Sequence, residues 1–489
     1  MKTDWKSWSV EARDQRYWEA LCHWPEAANW NAVHEGLDYG HLTRAFLWDK
    51  AGRAVRAATD PEAHHRELEL LGKESRPAAR RAPPAAVPVS WRMRLHTART
   101  TLRRRLRGQP LMFCPFPYSR HARVIGALLE RAQAFAVGVP AGYAAEWPGA
   151  VPLKVPRVAA DAQDIRRAQE LRQSIEKGLS ALSLVLAETD RATLLQELQE
   201  QQAVLRETAA TLDAVRPAAV LLPADNHFPF IEYALVARAR RIPTVMLQHG
   251  LDCEHHVLDE AYASHIAVWG KDRARRYRRD SHIQPVALGT IGNPHYDHWP
   301  ACDGAEVDPR LWLWVTRPHR PEKCYLPSRQ PEEGMHILDA LLRALESAPD
   351  CRLLIKTHPF DYEDAYRQRL QARGAPRARL VQDTVANLLR GAGVVITEDS
   401  SAGMDAMLAG RALVHAHFAA SPPVVPFVAY GAARPGFTAP QLCESLALPA
   451  PGDSQHAGQQ RFLDDFAGPR DGSAHRRFAE FVEEVLNRR

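Results

Sequence analysis

Three short stretches of this 489-residue chain place reactive side chains where the backbone must turn sharply. Lys356-Thr-His-Pro359 follows the apolar run Arg352-Leu-Leu-Ile, so the proline stops the run and presents His358 at its end. An imidazole there can donate to a phosphate oxygen, with Lys356 adding a point charge; the plainer alternative is a histidine capping a strand-to-helix turn. Thr397-Glu-Asp-Ser-Ser-Ala-Gly403 follows Val394-Val-Ile and opens a helical stretch. Two hydroxyls, Ser400 and Ser401, at a helix start with free backbone N–H groups behind them form an anion site. A simple cap needs only one serine and leaves Glu398 and Asp399 unexplained; acids so placed can hold ribose hydroxyls. Leu247-Gln-His-Gly-Leu251 is the third stretch: Gly250 permits a tight turn that aims His249 at a ligand, as a base or as the group that orients a hydroxyl, or else leaves it as a structural turn histidine. Asp225, in Asp-Asn-His227, is the second candidate base. Gly289-Thr-Ile-Gly-Asn-Pro-His-Tyr-Asp297 reads equally as a structural turn or as ligand contact.

All of these sit at the ends of short apolar runs. Leu111-Met-Phe-Cys-Pro-Phe, Ala134-Phe-Ala-Val-Gly-Val, Ala218-Ala-Val-Leu-Leu-Pro, Pro243-Thr-Val-Met-Leu-Gln, Ile266-Ala-Val-Trp and Val286-Ala-Leu-Gly alternate with helical periods, among them residues 161–214. Residues 298–310 are polar and contain Pro300, Gly304 and Pro309, which reads as a linker. The rhythm then restarts with Leu311-Trp-Leu-Trp-Val, Arg352-Leu-Leu-Ile-Lys, Ala378-Arg-Leu-Val, Val394-Val-Ile-Thr and Ala412-Leu-Val-His. Buried strands alternating with helices imply parallel sheets covered on both faces. The expected fold is α/β: two tandem Rossmann-like doubly wound domains with a helical N-terminal appendage. The boundaries are 1–109 for the appendage and 110–300 and 301–489 for the two domains. Ligands of such sheets lie beyond the carboxyl ends of the strands, so the cleft between the domains is the expected site.

Composition sets the outer limits. Hydrophobic residues make up 45% and charged residues 25%, as in globular proteins, and a net charge of +5 is too dilute to imply nucleic-acid binding by the whole chain. The N-terminus lacks a secretory pattern and no apolar run is long enough to span a bilayer, from which a cytoplasmic location is expected. Seven scattered cysteines without a Cys-x-x-Cys fit neither a disulfide framework nor a zinc module. His255-His256 are adjacent rather than on one helix face, and no Gly-x-x-x-x-Gly-Lys-Ser/Thr, Gly-x-Gly-x-x-Gly, His-Glu-x-x-His or Gly-x-Ser-x-Gly motif occurs. Neither a metal nor a cofactor is expected. The most asymmetric segment runs from Arg92 to Arg107, with seven arginines, an apolar complement and no acid. It reads as a surface helix on an anionic inner membrane, or as a solvated or bridging helix.

In order, Gln248-His-Gly, Ala267-Val-Trp-Gly, Gly292-Asn-Pro-His-Tyr-Asp, Lys356-Thr-His-Pro and Glu398-Asp-Ser-Ser resemble the bacterial cell-surface polysaccharide transferases of the GT-B fold, over roughly residues 110–420. Two branches fit. In sialyl-, polysialyl- and Kdo-transferases that use CMP-sugars, the His-Pro and Ser-Ser motifs bind the nucleotide phosphate; CDP-glycerol glycerophosphotransferases of teichoic-acid synthesis carry similar motifs. The teichoic enzymes usually place an aromatic before His-Gly and between Asp and Ser-Ser, whereas here Gln248 precedes His249 and Asp399 abuts Ser400, which favours the sugar-transferring branch. UDP-sugar 2-epimerases share the architecture but fit the Lys-Thr-His-Pro and Ser-Ser motifs less well. The resemblance implies a metal-independent glycosyltransferase moving a sugar from a nucleotide-sugar donor to a glycan or glycolipid acceptor, with 110–300 as the acceptor domain and 301–489 as the nucleotide-donor domain. His249 or Asp225 would act as base, and Lys356, His358, Pro359, Glu398, Ser400 and Ser401 would hold the nucleotide and its phosphate. A retaining reaction needs a carboxylate nucleophile, for which Asp225, Asp252 and Glu254 are available.

Overall fold

The structure is a computed structural model that describes residues 33–34, 37–39, 42, 108–117, 122–156, 158, 161–181, 188–226, 228–251, 261–281, 283–299, 306–317, 331–359, 361, 363–418, 423–448 and 452–488. The basic segment from Arg92 to Arg107, and with it most of the expected appendage, lies outside these residues, as do Asp252 and Glu254. Before residue 110 the described residues include an antiparallel pair, β1 (Val33–His34) and β2 (Leu37–Asp38). The sequence gives no strand signal there, because two-residue strands are too short to show a period; Leu37 and Tyr39 are held instead by burial in the helical core of the first domain.

The first large sheet is parallel throughout. Its strands are β3 (Leu111–Phe113), β4 (Ala136–Pro140), β5 (Val151–Leu153), β6 (Ala219–Leu222), β7 (Thr244–Leu247), β8 (His265–Val268) and β9 (Ala287–Thr290), in the order β5-β4-β3-β6-β7-β8-β9. Helices α1 (Ala122–Glu130), α2 (Ala162–Ala181), α3 (Glu188–Val215), α4 (Phe230–Ala239) and α5 (Lys271–Asp280) connect and cover them. The second sheet, also parallel, contains β10 (Asp308–Val315), β11 (Arg352–Lys356), β12 (Ala378–Leu380), β13 (Ala392–Thr397), β14 (Ala412–Ala416) and β15 (Arg434–Gly436), in the order β12-β11-β10-β13-β14-β15. Its helices are α6 (Pro331–Ser347), α7 (Glu363–Arg373), α8 (Val385–Gly391), α9 (Ala402–Leu408), α10 (Ala439–Ala447) and α11 (Asp453–Phe466), and α12 (Ala474–Asn487) follows them in the chain but returns to the first domain. All six residues of β13 and all four of β7 are buried, as strands sandwiched between helix layers must be.

The short edge strands β5 and β15 escape sequence reading because each is three residues long with a central proline, Val-Pro-Leu and Arg-Pro-Gly. Proline is tolerated at a sheet edge, where one side of the strand has no ladder to serve. Strand β10 begins at Asp308, inside the stretch that reads as linker; its first residues pair with β13 only at Asp308–Ala392, ahead of an irregularity that accommodates Pro309.

In each sheet the chain runs outward from a middle strand and then reverses: at β3/β6 in the first, at β10/β13 in the second. Such switch points open a crevice at the carboxyl ends of the strands. The two domains share one apolar cluster, which runs from Met112 and Leu128 through Phe427 and Phe462 to Phe478. Helix α12, last in the chain, packs on α1, and Arg131 binds Glu483 at 2.8 Å and Glu480 at 3.1 Å. At Gly270 a Cβ would lie 2.1 Å from the Asp465 carbonyl oxygen, so only glycine lets the end of α11 seat against the start of α5.

Candidate active site in the interdomain cleft

At the second switch point the ends of β11, β10, β13 and β14 lie side by side. Because adjacent strands are about 4.8 Å apart, the turns after β11 and β13 are separated by roughly 10 Å. The turn carrying His358 is fixed by a short chain of hydrogen bonds. His358 N–H donates to Thr316 Oγ1 at 3.0 Å, Thr316 donates to Asp361 Oδ2 at 2.7 Å, and Tyr366 donates to the same oxygen at 3.0 Å. His358 itself is half-buried, Pro359 is exposed, and Lys356 is half-buried close enough to Asp383 to help hold that carboxyl below its usual range, after the Asn387 and Thr384 hydrogen bonds.

The turn after β13 divides its polar residues between two tasks. Glu398 is buried and accepts from Arg317 N–H at 3.3 Å. Asp399 is buried and accepts from Val425 N–H at 2.8 Å and Val424 N–H at 3.3 Å, with His415 Nε2 at 3.2 Å, His417 Nδ1 at 3.5 Å and Arg317 at 3.7 Å. Burial alone would raise its pKa; the two imidazoles and the guanidinium outweigh burial and hold the carboxyl well below the usual range. Asp399 therefore anchors the turn to the 424–425 loop. Ser400 Oγ accepts from Ala402 N–H at 3.3 Å, closing the first turn of α9, and Ser401 is exposed.

Ser401 and His249 line one cavity of about 440 Å³ between the domains, together with Arg123, Gln248, Trp269, His295, Tyr296 and Asp405. His249 is placed there by its neighbour. Gln248 is buried, its Oε1 accepts Trp269 N–H at 2.8 Å and its Nε2 donates to Gly250 C=O at 2.7 Å, which clamps the turn to the end of β8. Opposite, Gly292 has φ +86°, and a Cβ there would come within 2.5 Å of the Pro469 carbonyl oxygen, so this turn requires glycine. Asn293 Oδ1 then accepts His295 N–H at 3.0 Å, and Asp297 accepts the Ala474 and His475 N–H groups that start α12. Tyr296, between them, donates its hydroxyl across the cleft to Asp405 Oδ1 at 2.9 Å. Burial pushes the Asp405 carboxyl up to about 7 against the lowering effect of that hydrogen bond, and burial and then Asp405 raise the Tyr296 phenol.

The structure thus brings His249 and Ser401 into one cavity, while Lys356, His358, Pro359 and Glu398 stand at neighbouring strand ends outside its lining. Asp225, at the first switch point, is only 2% exposed and accepts from Ala263 N–H at 2.7 Å. Burial raises its pKa to about 6 despite that bond, Arg273 and His249, and it lies behind the cavity wall rather than in it. Sequence reasoning missed Tyr296 and Asp405 as a pair. Asp405 stands four residues after Ser401, hence on the same face of α9, which is a legible signal. Tyr296 lay inside a quoted motif, yet nothing local tells that its hydroxyl crosses to the other domain. Among the described residues no group of histidine, cysteine and acidic side chains has a metal-binding arrangement, and no helix is long and apolar enough to cross a membrane.

The chain matches no model of a known protein family and, by sequence, no curated protein. Among solved structures, S. aureus MnaA with UDP superposes with a TM-score of 0.50 at 14% identity, over 78% of this chain and 97% of that one. The UDP-GlcNAc 2-epimerase of Neisseria meningitidis bound to UDP-GlcNAc gives 0.44 at 12% identity, over 78% and 99%. A mutant of S. aureus TarM with fondaparinux, α-GlcNAc-glycerol and UDP gives 0.39 at 9% identity, over 58% and 59%. The likeness to MnaA is one of fold, and with the two parallel sheets it assigns the chain the GT-B-like arrangement of paired Rossmann-type domains.

Proposed function

We propose that the protein is a sugar-nucleotide enzyme, a glycosyltransferase that moves a sugar from a CMP-linked donor of the Kdo or sialic acid kind to a glycan or glycolipid acceptor. The observation that carries this reading is the interdomain cavity, where His249 from one domain and Ser401 from the other face the same space, with the His358 turn two strands away at the same sheet edge. The donor phosphate lies across the ends of β11 and β13. Negative charge develops on it as the sugar leaves, and Lys356, His358 and Ser401 stabilise that charge. The acceptor enters on the side of the first domain, where His249 orients its hydroxyl. A second reading is epimerisation of a free nucleotide sugar, from the architecture shared with UDP-sugar 2-epimerases; the fold likeness to MnaA, a structure holding UDP, is compatible with it.

Turnover of CMP-, CDP- and UDP-linked donors with and without added acceptor separates the readings. A product that forms only with acceptor, and is lost in His358→Ala and Ser401→Ala, supports transfer. Conversion of a nucleotide sugar without acceptor replaces transfer by epimerisation, and unchanged turnover in both variants removes the proposed site. A glycolipid acceptor would also put the basic segment from Arg92 to Arg107 against anionic lipid, where each arginine adds about 1 kcal/mol. Co-sedimentation with phosphatidylglycerol vesicles that survives its deletion would remove that part.

A further inference from the structure

We infer that Asp405 is the general base of the transfer, an assignment that rests on the function proposed above. Four observations place it. It lines the interdomain cavity beside His249 and Ser401. Its Oδ1 is held by the Tyr296 hydroxyl at 2.9 Å, which fixes the carboxylate plane from the opposite domain. Its Oδ2 has no hydrogen-bond partner among the described residues. It also sits one helical turn beyond Ser401, whose carbonyl accepts Asp405 N–H at 3.3 Å, so the phosphate-side hydroxyl and the carboxylate share one rigid element.

This is the arrangement a base needs: one oxygen immobilised and the other without a protein partner, on a residue that lines the reacting space. Asp225 and Asp399, the buried aspartates at the two switch points, lack it. Asp225 spends its carboxylate on Ala263 N–H behind the wall, and Asp399 is enclosed by His415, His417, Arg317 and two backbone N–H groups. In the transfer, the acceptor hydroxyl gives its proton to Asp405 Oδ2 as its oxygen lone pair bonds to the anomeric carbon. The bond from that carbon to the phosphate oxygen breaks, its electron pair remaining on the departing nucleotide. Burial also keeps the carboxyl near neutral, which suits a group that must take up and release a proton each cycle. The charged and titratable groups that line the cavity with it are Tyr296, which bonds it, and His249, His295 and Arg123, all from the first domain.

The test is the pH profile of kcat/KM for wild type, Asp405→Asn and Tyr296→Phe, with nucleotide binding measured on each by calorimetry. Asparagine is isosteric and still accepts from Tyr296, so Asp405→Asn is expected to bind nucleotide as wild type does while kcat falls by about 10²–10⁴-fold. Removing the tyrosine hydroxyl withdraws the bond that favours the charged carboxylate, so in Tyr296→Phe the acidic limb moves to higher pH; a merely structural tyrosine would lower activity without moving it. Wild-type turnover by Asp405→Asn, or a limb that stays in place in Tyr296→Phe, overturns the assignment. If wild type itself binds no nucleotide, the functional reading fails before the base is tested, so the two failures are distinguishable.

Discussion

Two aspartates six residues apart in the second domain, Asp399 buried and Asp405 half-buried, experience opposite electrostatics. Asp399, under the end of β13, is surrounded by two imidazoles, a guanidinium and two backbone N–H groups, and its carboxyl is held well below the ordinary range. Asp405, on α9 in the cleft, has one partner, and burial lifts its carboxyl to about 7. Desolvation pushes both carboxyls upward, so desolvation alone does not mark a reactive acid. The partners do: a carboxylate whose hydrogen-bonding capacity is filled is a structural clamp, and one with a spare oxygen facing a cavity is chemically available.

The contrast breaks first at Asp399. Asp399→Asn removes the carboxylate charge around which Arg317, His415, His417 and two backbone N–H groups are gathered, with an expected loss of about 3–5 kcal/mol in denaturant unfolding. A loss within a few tenths of a kcal/mol would mean that the cluster is not a clamp. At Asp405 the sign reverses. Its carboxyl is raised from 3.8 to about 7, so across that window the folded state keeps a proton that the unfolded chain has released. Stability therefore falls as pH rises from about 4 to 7 and stays at its lower level above. Asp405→Asn removes this penalty and is expected to stabilise the protein by about 2–4 kcal/mol at pH 8, and by almost nothing at pH 4. Equal effects at the two pH values would show that Asp405 titrates normally.

Smaller effects sharpen the same contrast. Gln248→Ala leaves Trp269 N–H without its side-chain acceptor and releases the His249 turn, an expected cost of about 1–3 kcal/mol with a weaker response of turnover to acceptor concentration. Wild-type stability would show that the glutamine does not position His249. Tyr296→Phe is expected to cost about 1 kcal/mol, more above pH 7 than below, because a hydrogen bond to a charged carboxylate is the stronger one. A pH-independent cost would mean that the tyrosine packs rather than donates.

How much of this was legible in the sequence follows from range. Strand β11 was readable to the residue, and β7, β8 and β13 nearly so, because apolar runs between turn residues are local signals. The placing of His249, His358 and Ser401 at strand ends was local too. What was not legible depends on contacts between distant segments. Edge strands β5 and β15 exist only because β4 and β14 offer them a partner. The packing of α12 on the first domain depends on Asp297 capping its start across 177 positions. Glu398 and Asp399 read as ribose ligands from their spacing, yet Arg317 and the pair His415 and His417 come from two other places in the chain and enclose Asp399. Asp405 was within reach of helical spacing from Ser401, but its hydroxyl partner comes from the other domain.

The claim on which everything else rests is that the cleft beside His358 and Ser401 binds a nucleotide. Calorimetry with CMP, CDP and UDP on wild type and on His358→Ala tests it directly. The account expects CMP to bind most tightly and His358→Ala to lose at least tenfold in affinity, about 1.4 kcal/mol, which is a typical contribution of one charge-assisted contact. Binding of UDP alone would replace the donor class. No binding of any nucleotide, or binding that His358→Ala leaves untouched, would contradict the account.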